Sequence, residues 1–253
     1  MRFVSTTLGM QRFPFSVESP ASPSDVDGAH IMGVTVVAWL TRFPVAHWGP
    51  AWAELGSFEI RFRAHLTAGL ELVISAEPSE DILELTVAGI DGTVYATATA
   101  GRTGSGIPTK RQVGPASTHP ARPVDHELRN RVLISRRFTF DAARDQPFTS
   151  AIADGPLWSG NGWAHPAWMA SAANAVIHEN ISFTEPGQWL HAGLQWDTHR
   201  PVTDGSPITV GGSIDELFTG RHHRFAVATL DVAIGGSTAI TMRNTFAYAV
   251  VAE

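Results

Sequence analysis

Residues 161–178 read NGWAHPAWMASAANAVIH: a His-Pro pair, then a run in which almost every position is apolar or small, with one Asn near its far end. Pro fits the first turn of a helix, where the N–H that it lacks has no intrahelical partner anyway. The pattern predicts a helix over 164–178. Such a helix has no wide polar face, so it must be enclosed rather than laid on a surface. Residues 27–40, DGAHIMGVTVVAWL, open alike, with Ala29-His30 standing 135 positions before Ala164-His165. They predict a second helix over 29–41. One helix-opening His can be chance; two suggest a repeat.

The order of elements around the two runs agrees. Each is followed by strand-like alternation: SFEIRFRAHLTAGLELVISAE and ILELTVAGIDGTVYATATAG after the first, HAGLQWDTHRPVTDGSPITVGGSIDEL and HHRFAVATLDVAIGGSTAITMRNTFAYAV after the second. Leu66-Thr67-Ala68-Gly69 and Val202-Thr203-Asp204-Gly205 match at an offset of 136 and predict tight turns reversing antiparallel pairs. Asp91-Gly92 and Gly235-Gly236 mark the next hairpin in each half. The expected unit is a helix and then four long strands, written twice.

Charge supports the division. Residues 1–100 hold 5 Arg against 11 acids, residues 101–137 hold 8 Lys and Arg against 2 acids, and the remainder repeats 5 against 11. Two acidic halves, 1–100 and 138–253, therefore flank a basic connector, 101–137, whose Gly and Pro content predicts irregular chain on the outside. That balance disfavours nucleic-acid binding, since the basic stretch has no interleaved aromatics to stack bases. With no Cys among 253 residues, disulfide frameworks and thiolate chemistry are excluded. The first residues lack a signal-peptide pattern, and no stretch approaches the roughly 18 apolar residues that span a bilayer. The expectation is a cytoplasmic protein with no membrane contact.

Long antiparallel strands curling around an all-apolar helix resemble the hotdog fold, and two such units in one chain resemble a double hotdog. This is an α+β architecture of two long helices, each wrapped by a curved antiparallel sheet. Hotdog enzymes as a family act on acyl thioesters of coenzyme A or an acyl carrier protein. The resemblance implies such a substrate, no cofactor and no metal, and a monomer or a homodimer, because a double hotdog already contains the dimer-like unit. Unpaired amides and the positive dipole end at a helix start would hold the thioester oxygen as it gains charge.

The segment HPAWMASAAN is similar to the HPALLDAALQ type of stretch in the second hotdog of polyketide-synthase dehydratase domains, with Ala170 where those domains keep a catalytic Asp and Asn174 at the later Gln position. MaoC-like hydratases carry a closely spaced Asp and His before the helix. Asp27 and His30 are three apart here rather than the expected five, and the second half has Asp154 with no His before His165. The resemblance implies a hydratase or dehydratase with His30 and Asp27 as acid and base, and with His165, Asn174, Asn161 and Gly33 at the substrate. A thioesterase using a positioned water is the alternative enzyme. A non-catalytic acyl-binding protein is the third reading, favoured by Ala170.

Plainer roles stand beside these: helix-start packing for His30 and His165, backbone hydrogen bonding for Asn174, an N-cap for Asp27. The connector cations, Arg102, Lys110 and Arg111 among them, are expected either to meet an anionic carrier or to neutralise the acidic halves. Other motifs carry less. His222 and His223 are adjacent and point to opposite faces of a strand, and no Gly-x-Ser-x-Gly elbow occurs.

Overall fold

Alternation becomes strand wherever the sequence shows it. Ile82–Gly89 buries Leu83, Leu85 and Val87 and leaves Glu84 exposed and Thr86 half-buried between them, and Val94–Gly101 buries Ala96, Ala98 and Ala100. The computed structural model describes residues 2–6, 33–67, 70–107, 118–151, 155–183 and 189–251. The first half contributes β1 (Arg2–Thr6), α1 (Gly33–Leu40), α2 (Arg42–Trp48), α3 (Pro50–Leu55), β2 (Ser57–Phe62), β3 (Glu71–Pro78), β4 (Ile82–Gly89) and β5 (Val94–Gly101). The second contributes α4 (Asp125–Leu128), β6 (Arg136–Thr139), α5 (Ala142–Ala151), α6 (Gly155–Trp158), α7 (Pro166–Asn180), β7 (Leu190–Thr198), β8 (Pro207–Thr219), β9 (His223–Ile234) and β10 (Ser237–Val250).

All ten strands form one antiparallel sheet in the order β1-β3-β4-β5-β2-β7-β10-β9-β8-β6. Read inward from either edge, each half follows the same course: its first, third, fourth, fifth and second strand. The seam is β2 against β7, where Phe58 pairs with Trp196 and Ile60 with Leu194, so a two-fold between the strands carries Phe58 onto Leu194. Phe58 stacks on Trp196 at 4.6 Å, and the Trp52 ring meets both at 6.4 Å. Aromatic pairs of this kind contribute about 0.5–1.5 kcal/mol beyond their buried area.

The two long apolar runs lie against one another inside the sheet. α7 buries Ala167, Ala170, Ala172 and Ala173 completely, and α1 buries Val37, Ala38 and Leu40 completely. Small side chains let the two backbones approach, and the larger ones fill the space beneath the sheet. Thr41, at the end of α1, meets His165, at the start of α7, so the helices run in opposite directions.

Three expectations are revised. Each half has a fifth strand, β1 or β6, at the outer edge of the sheet. The chain also continues helical after α1, through α2 and α3, with Pro50 opening α3 in its first turn. Finally, β2 does not pair with β3, nor β7 with β8, so no hairpin joins the strands on either side of 66–69, of which Ala68 and Gly69 lie outside the described residues, or of 202–205. β7 is occupied on both edges by β2 and β10, so the chain leaving it has no free edge to fold back upon and crosses two strands before it pairs as β8. Gly205 (φ +71°) lies in that crossover, where Asp204 Oδ1 accepts from the first amide of α5 at 2.8 Å. The true hairpins are those at Asp91-Gly92 and Gly235-Gly236, with φ of +85°, +57° and +81° at the three glycines.

Within the described part of 101–137 the chain is partly sewn into the molecule. Asp197, on the outer face of β7, accepts from the Ser105 amide, the Ser105 hydroxyl and the Ile107 amide, each at 2.7 Å. Leu128 and Leu133 are fully buried, and residues 131–133 run beside β8. Lys110 and Arg111 lie outside the described residues, and Arg102 is exposed.

Candidate active site

The site is set by an irregularity in β7. Leu194 and Trp196 face the helices, and strict alternation would turn His191 to the opposite face. Along β10, however, Thr245 pairs with Gly193 and the next residue, Phe246, pairs with His191, so Ala192 is an extra residue. A bulge of this kind re-aims every side chain beyond it. It brings His191 to the face that carries Leu194, Asn244 and Phe246. Gly193 accommodates the distortion, since a Cβ there would lie 2.9 Å from the Ile60 carbonyl oxygen.

Asn244 occupies a position that the alternation of β10 gives to Met242, Phe246 and Tyr248, and it is fully buried among them. A buried amide must be hydrogen-bonded. Its Oδ1 lies 3.1 Å from His191 Nε2, and its Nδ2 donates to Asn174 Oδ1 at 3.3 Å. Asn174, half-buried on α7, is thereby paired with another side chain. Gly33 opens α1 beside the same ring: a Cβ on it would sit 2.8 Å from the Phe62 ring and 3.0 Å from His191 Nδ1. Only glycine lets the helix start come this close.

Aromatic rings enclose the imidazole. Phe62 lies 5.3 Å from it and Trp189 6.4 Å, and Trp189 in turn contacts Phe183, Phe246 and His178. Burial pushes His191 down to about 4, against the opposing pull of its hydrogen bonds to Asn244 and the Gly193 backbone. Burial, with His191 beside it, also lowers His178 to about 4. Both rings are neutral at neutral pH. A neutral imidazole that is partly exposed among apolar rings can accept a proton from water, and amides at a helix start can hold an oxygen that gains charge.

The α7 start is built differently. His165 is its N-cap: Nδ1 accepts from the Ala167 amide at 3.0 Å, and Nε2 lies 3.2 Å from Thr41 Oγ1, whose hydroxyl donates to the Ala38 carbonyl. The ring is fully buried beneath Trp158, 4.9 Å away. Ala170 is fully buried as well. Asn161 is exposed in the turn before α7 and donates to the Leu157 carbonyl at 2.6 Å. Of the residues singled out in the sequence, Gly33 and Asn174 thus come together at one helix start and His165 and Asn161 lie at the other. Asp27 and His30 fall outside the described residues.

His191 and Asn244 escaped the sequence reading. His191 was hidden by the bulge, which no local pattern announces. Asn244 did leave a signal: in TMRNTFAYAV it is the one amide on an otherwise apolar face. Among the described residues no group of three His, Asp or Glu has metal-holding geometry, and no helix is long and apolar enough to cross a membrane.

Solved structures place the fold. A MaoC-like dehydratase matches with a TM-score of 0.63 and 12% identity, covering 97% of this chain and 97% of its own. A conserved hypothetical protein of Mycobacterium tuberculosis with a double hotdog fold matches at 0.61 and 11%, over 87% and 82%. This chain is a double hotdog. The 12:0-ACP thioesterase of Umbellularia californica is similar to the same double hotdog at 0.55 and 10%, over 97% and 93%. No protein-family model matches the sequence, and no curated protein matches it. Identities this low establish the double-hotdog fold and leave the reaction to be argued from the site.

Proposed function

We propose that this double hotdog is a hydratase or dehydratase for acyl thioesters of coenzyme A or an acyl carrier protein, reacting at the start of α1. The observation that carries the proposal is His191, neutral and turned by the bulge toward that helix start. In the hydration direction the thioester oxygen lies at the α1 amides. His191 Nδ1 takes a proton from water, the hydroxide adds to the β-carbon, and the resulting enolate charge is held at the helix start. Protonation of the α-carbon completes the addition of H and OH across the double bond. Asp27 and His30 precede Gly33 in the chain and are proposed as the second acid–base pair. His165, with both ring nitrogens engaged, is assigned a structural role in this scheme.

Thioester hydrolysis is the second reading. It is favoured by the neutral His191 ring, because one imidazole suffices to activate water and return the proton to the departing thiolate. A panel of enoyl, 3-hydroxyacyl and saturated acyl thioesters separates the readings. Loss of the enoyl absorbance without thiol release supports the hydratase, and thiol release from saturated acyl groups supports the thioesterase. Binding without turnover of any member would refute both and leave an acyl-binding protein.

A further inference from the structure

The acidic half from 138 to 253 holds five arginines, and two of them stand in Gly220-Arg221-His222-His223-Arg224, at the turn between β8 and β9. The Gly220 amide donates to the His223 carbonyl at 2.8 Å and closes the turn. The Val251 amide donates to the His222 carbonyl at 2.9 Å and fixes the turn to the end of β10. Arg221 and His222 are exposed.

Apolar surface accompanies this charge. Leu217 packs on the core, so alternation turns Phe218 to the outer face, where it pairs with Phe225 and stacks on that ring at 5.1 Å. Phe218 is 47% exposed, and Val250, which pairs with His223, is 57% exposed. Beside the turn, the Tyr248 hydroxyl donates to Asp125 Oδ1 at 2.7 Å and Arg224 donates to the same oxygen at 3.2 Å. Those bonds hold α4 at the end of the sheet and bring Arg129, exposed at its C-terminus, to the same region. Asp125, Glu127 and Glu216 are paired with Arg224, Arg122 and Arg243. Arg129 and Arg221 make no ion pair among the described residues.

The turn and His191 lie toward the same end of the sheet. His191 is the second residue of β7 and pairs with Phe246, and β10 ends at Val250, roughly 13 Å further along the strand. An exposed aromatic stack bordered by unpaired guanidinium groups has the composition of a protein-binding surface, and cations of one sign steer an anionic partner to it. Its charges come from two elements, the β8–β9 turn and the end of α4, which suits the broad face of a protein better than a single phosphate group.

We propose that the β8–β9 turn, with Phe218, Val250 and Arg129 beside it, is the docking surface for an acidic acyl carrier protein whose thioester arm reaches His191. The destination of the arm rests on the function proposed above; the docking does not. Titration of the full chain with a carrier protein lacking its phosphopantetheine arm reads docking alone. Arg221→Glu and Phe218→Ser, both at exposed positions, are expected to melt with the parent and to weaken this binding by about tenfold or more, as is raising salt from about 50 to about 500 mM. Arg144→Glu, exposed on α5 at the other end of β8, is expected to leave it unchanged. Unchanged binding in Arg221→Glu and Phe218→Ser, or equal weakening by Arg144→Glu, would overturn the surface. With crotonyl thioesters, Arg221→Glu is expected to raise KM for the carrier-bound form by about tenfold and to leave the coenzyme A form unaffected; an equal loss on both would place Arg221 at the phosphates of coenzyme A and refute the docking. Should the carrier bind at the turn while neither thioester is turned over, the proposed function fails and the docking surface stands. Turnover of the coenzyme A form without carrier binding defeats the docking alone.

Discussion

His191 and His165 show how one residue type is given opposite work by its neighbours. His191 is half-buried among rings with one nitrogen facing a helix start, and His165 is sealed with both nitrogens engaged. His191→Asn is expected to lower kcat by on the order of 10²- to 10⁴-fold with a melting temperature near that of the parent. His165→Ala is expected to do the reverse. It removes an N-cap and the ring nitrogen beside Thr41 Oγ1, costing about 2–3 kcal/mol while turnover persists. Steady-state kinetics and thermal melts on both variants decide this, and loss of activity in His165→Ala at an unchanged melting temperature would contradict it.

The depressed pKa of the His178 and His191 rings makes stability respond to pH. His178 and His191 titrate near 4 in the fold against an ordinary value of 6.5, so the unfolded chain takes up protons first as pH falls. Their contribution is complete above about 6.5 and is lost between there and 4.

At the level of elements, the bulge in β7 and the glycine at the start of α1 position the site. Deleting Ala192 makes β7 regular and keeps His191 opposite Phe246 on the inner face, because the residue before Gly193 then alternates inward. Turnover is expected to persist, with far-UV circular dichroism and the β2–β7 seam retained. Loss of activity in a folded deletion variant would show that the bulge itself, and not the facing of His191 alone, shapes the site. Gly33→Ala places a methyl group against Phe62 and His191 Nδ1 at contact distances of 2.8 and 3.0 Å. Overpacking of this kind costs about 1–3 kcal/mol, and the displaced ring is expected to lower kcat more than it changes the melting temperature.

Across the whole molecule, two halves of equal topology carry unequal chemistry: Gly33 of α1 lies beside the partly exposed His191, and the α7 start is closed by Trp158 and His165. Beside the closed start the fold carries an unexplained cost. Asp145, on α5, is 2% exposed, and neither carboxylate oxygen has a hydrogen-bond partner among the described residues. Burial pushes its carboxyl up to about 7 from 3.8. The folded chain therefore keeps a proton that the unfolded chain releases, and the associated stability, present below about 3.8, is lost as pH rises through 7. Asp145→Asn is expected to raise stability at pH 8 by about 2–4 kcal/mol and to change little at pH 4. Equal melting shifts at both pH values would show that the carboxyl finds a partner in solution.

What the sequence by itself determined is the repeat and its contents. The paired Ala-His openings, the apolar runs and the alternating strands are local patterns with periods of 3.6 and 2, and they specified two enclosed helices and an antiparallel sheet. The hairpins at Asp91-Gly92 and Gly235-Gly236 were legible for the same reason, since a positive φ leaves glycine as its mark. The crossovers were not legible, because whether a turn closes a hairpin depends on which strand edges are already occupied, and only the assembled sheet decides that. Nor was the site. Gly33 and Asn174 were visible as a glycine at a helix start and an amide in an apolar run, but the residues that join them, His191 and Asn244, lie 53 positions apart on neighbouring strands. One extra residue in β7 brings them together, and the register that makes Ala192 extra exists only once β10 is paired beside it.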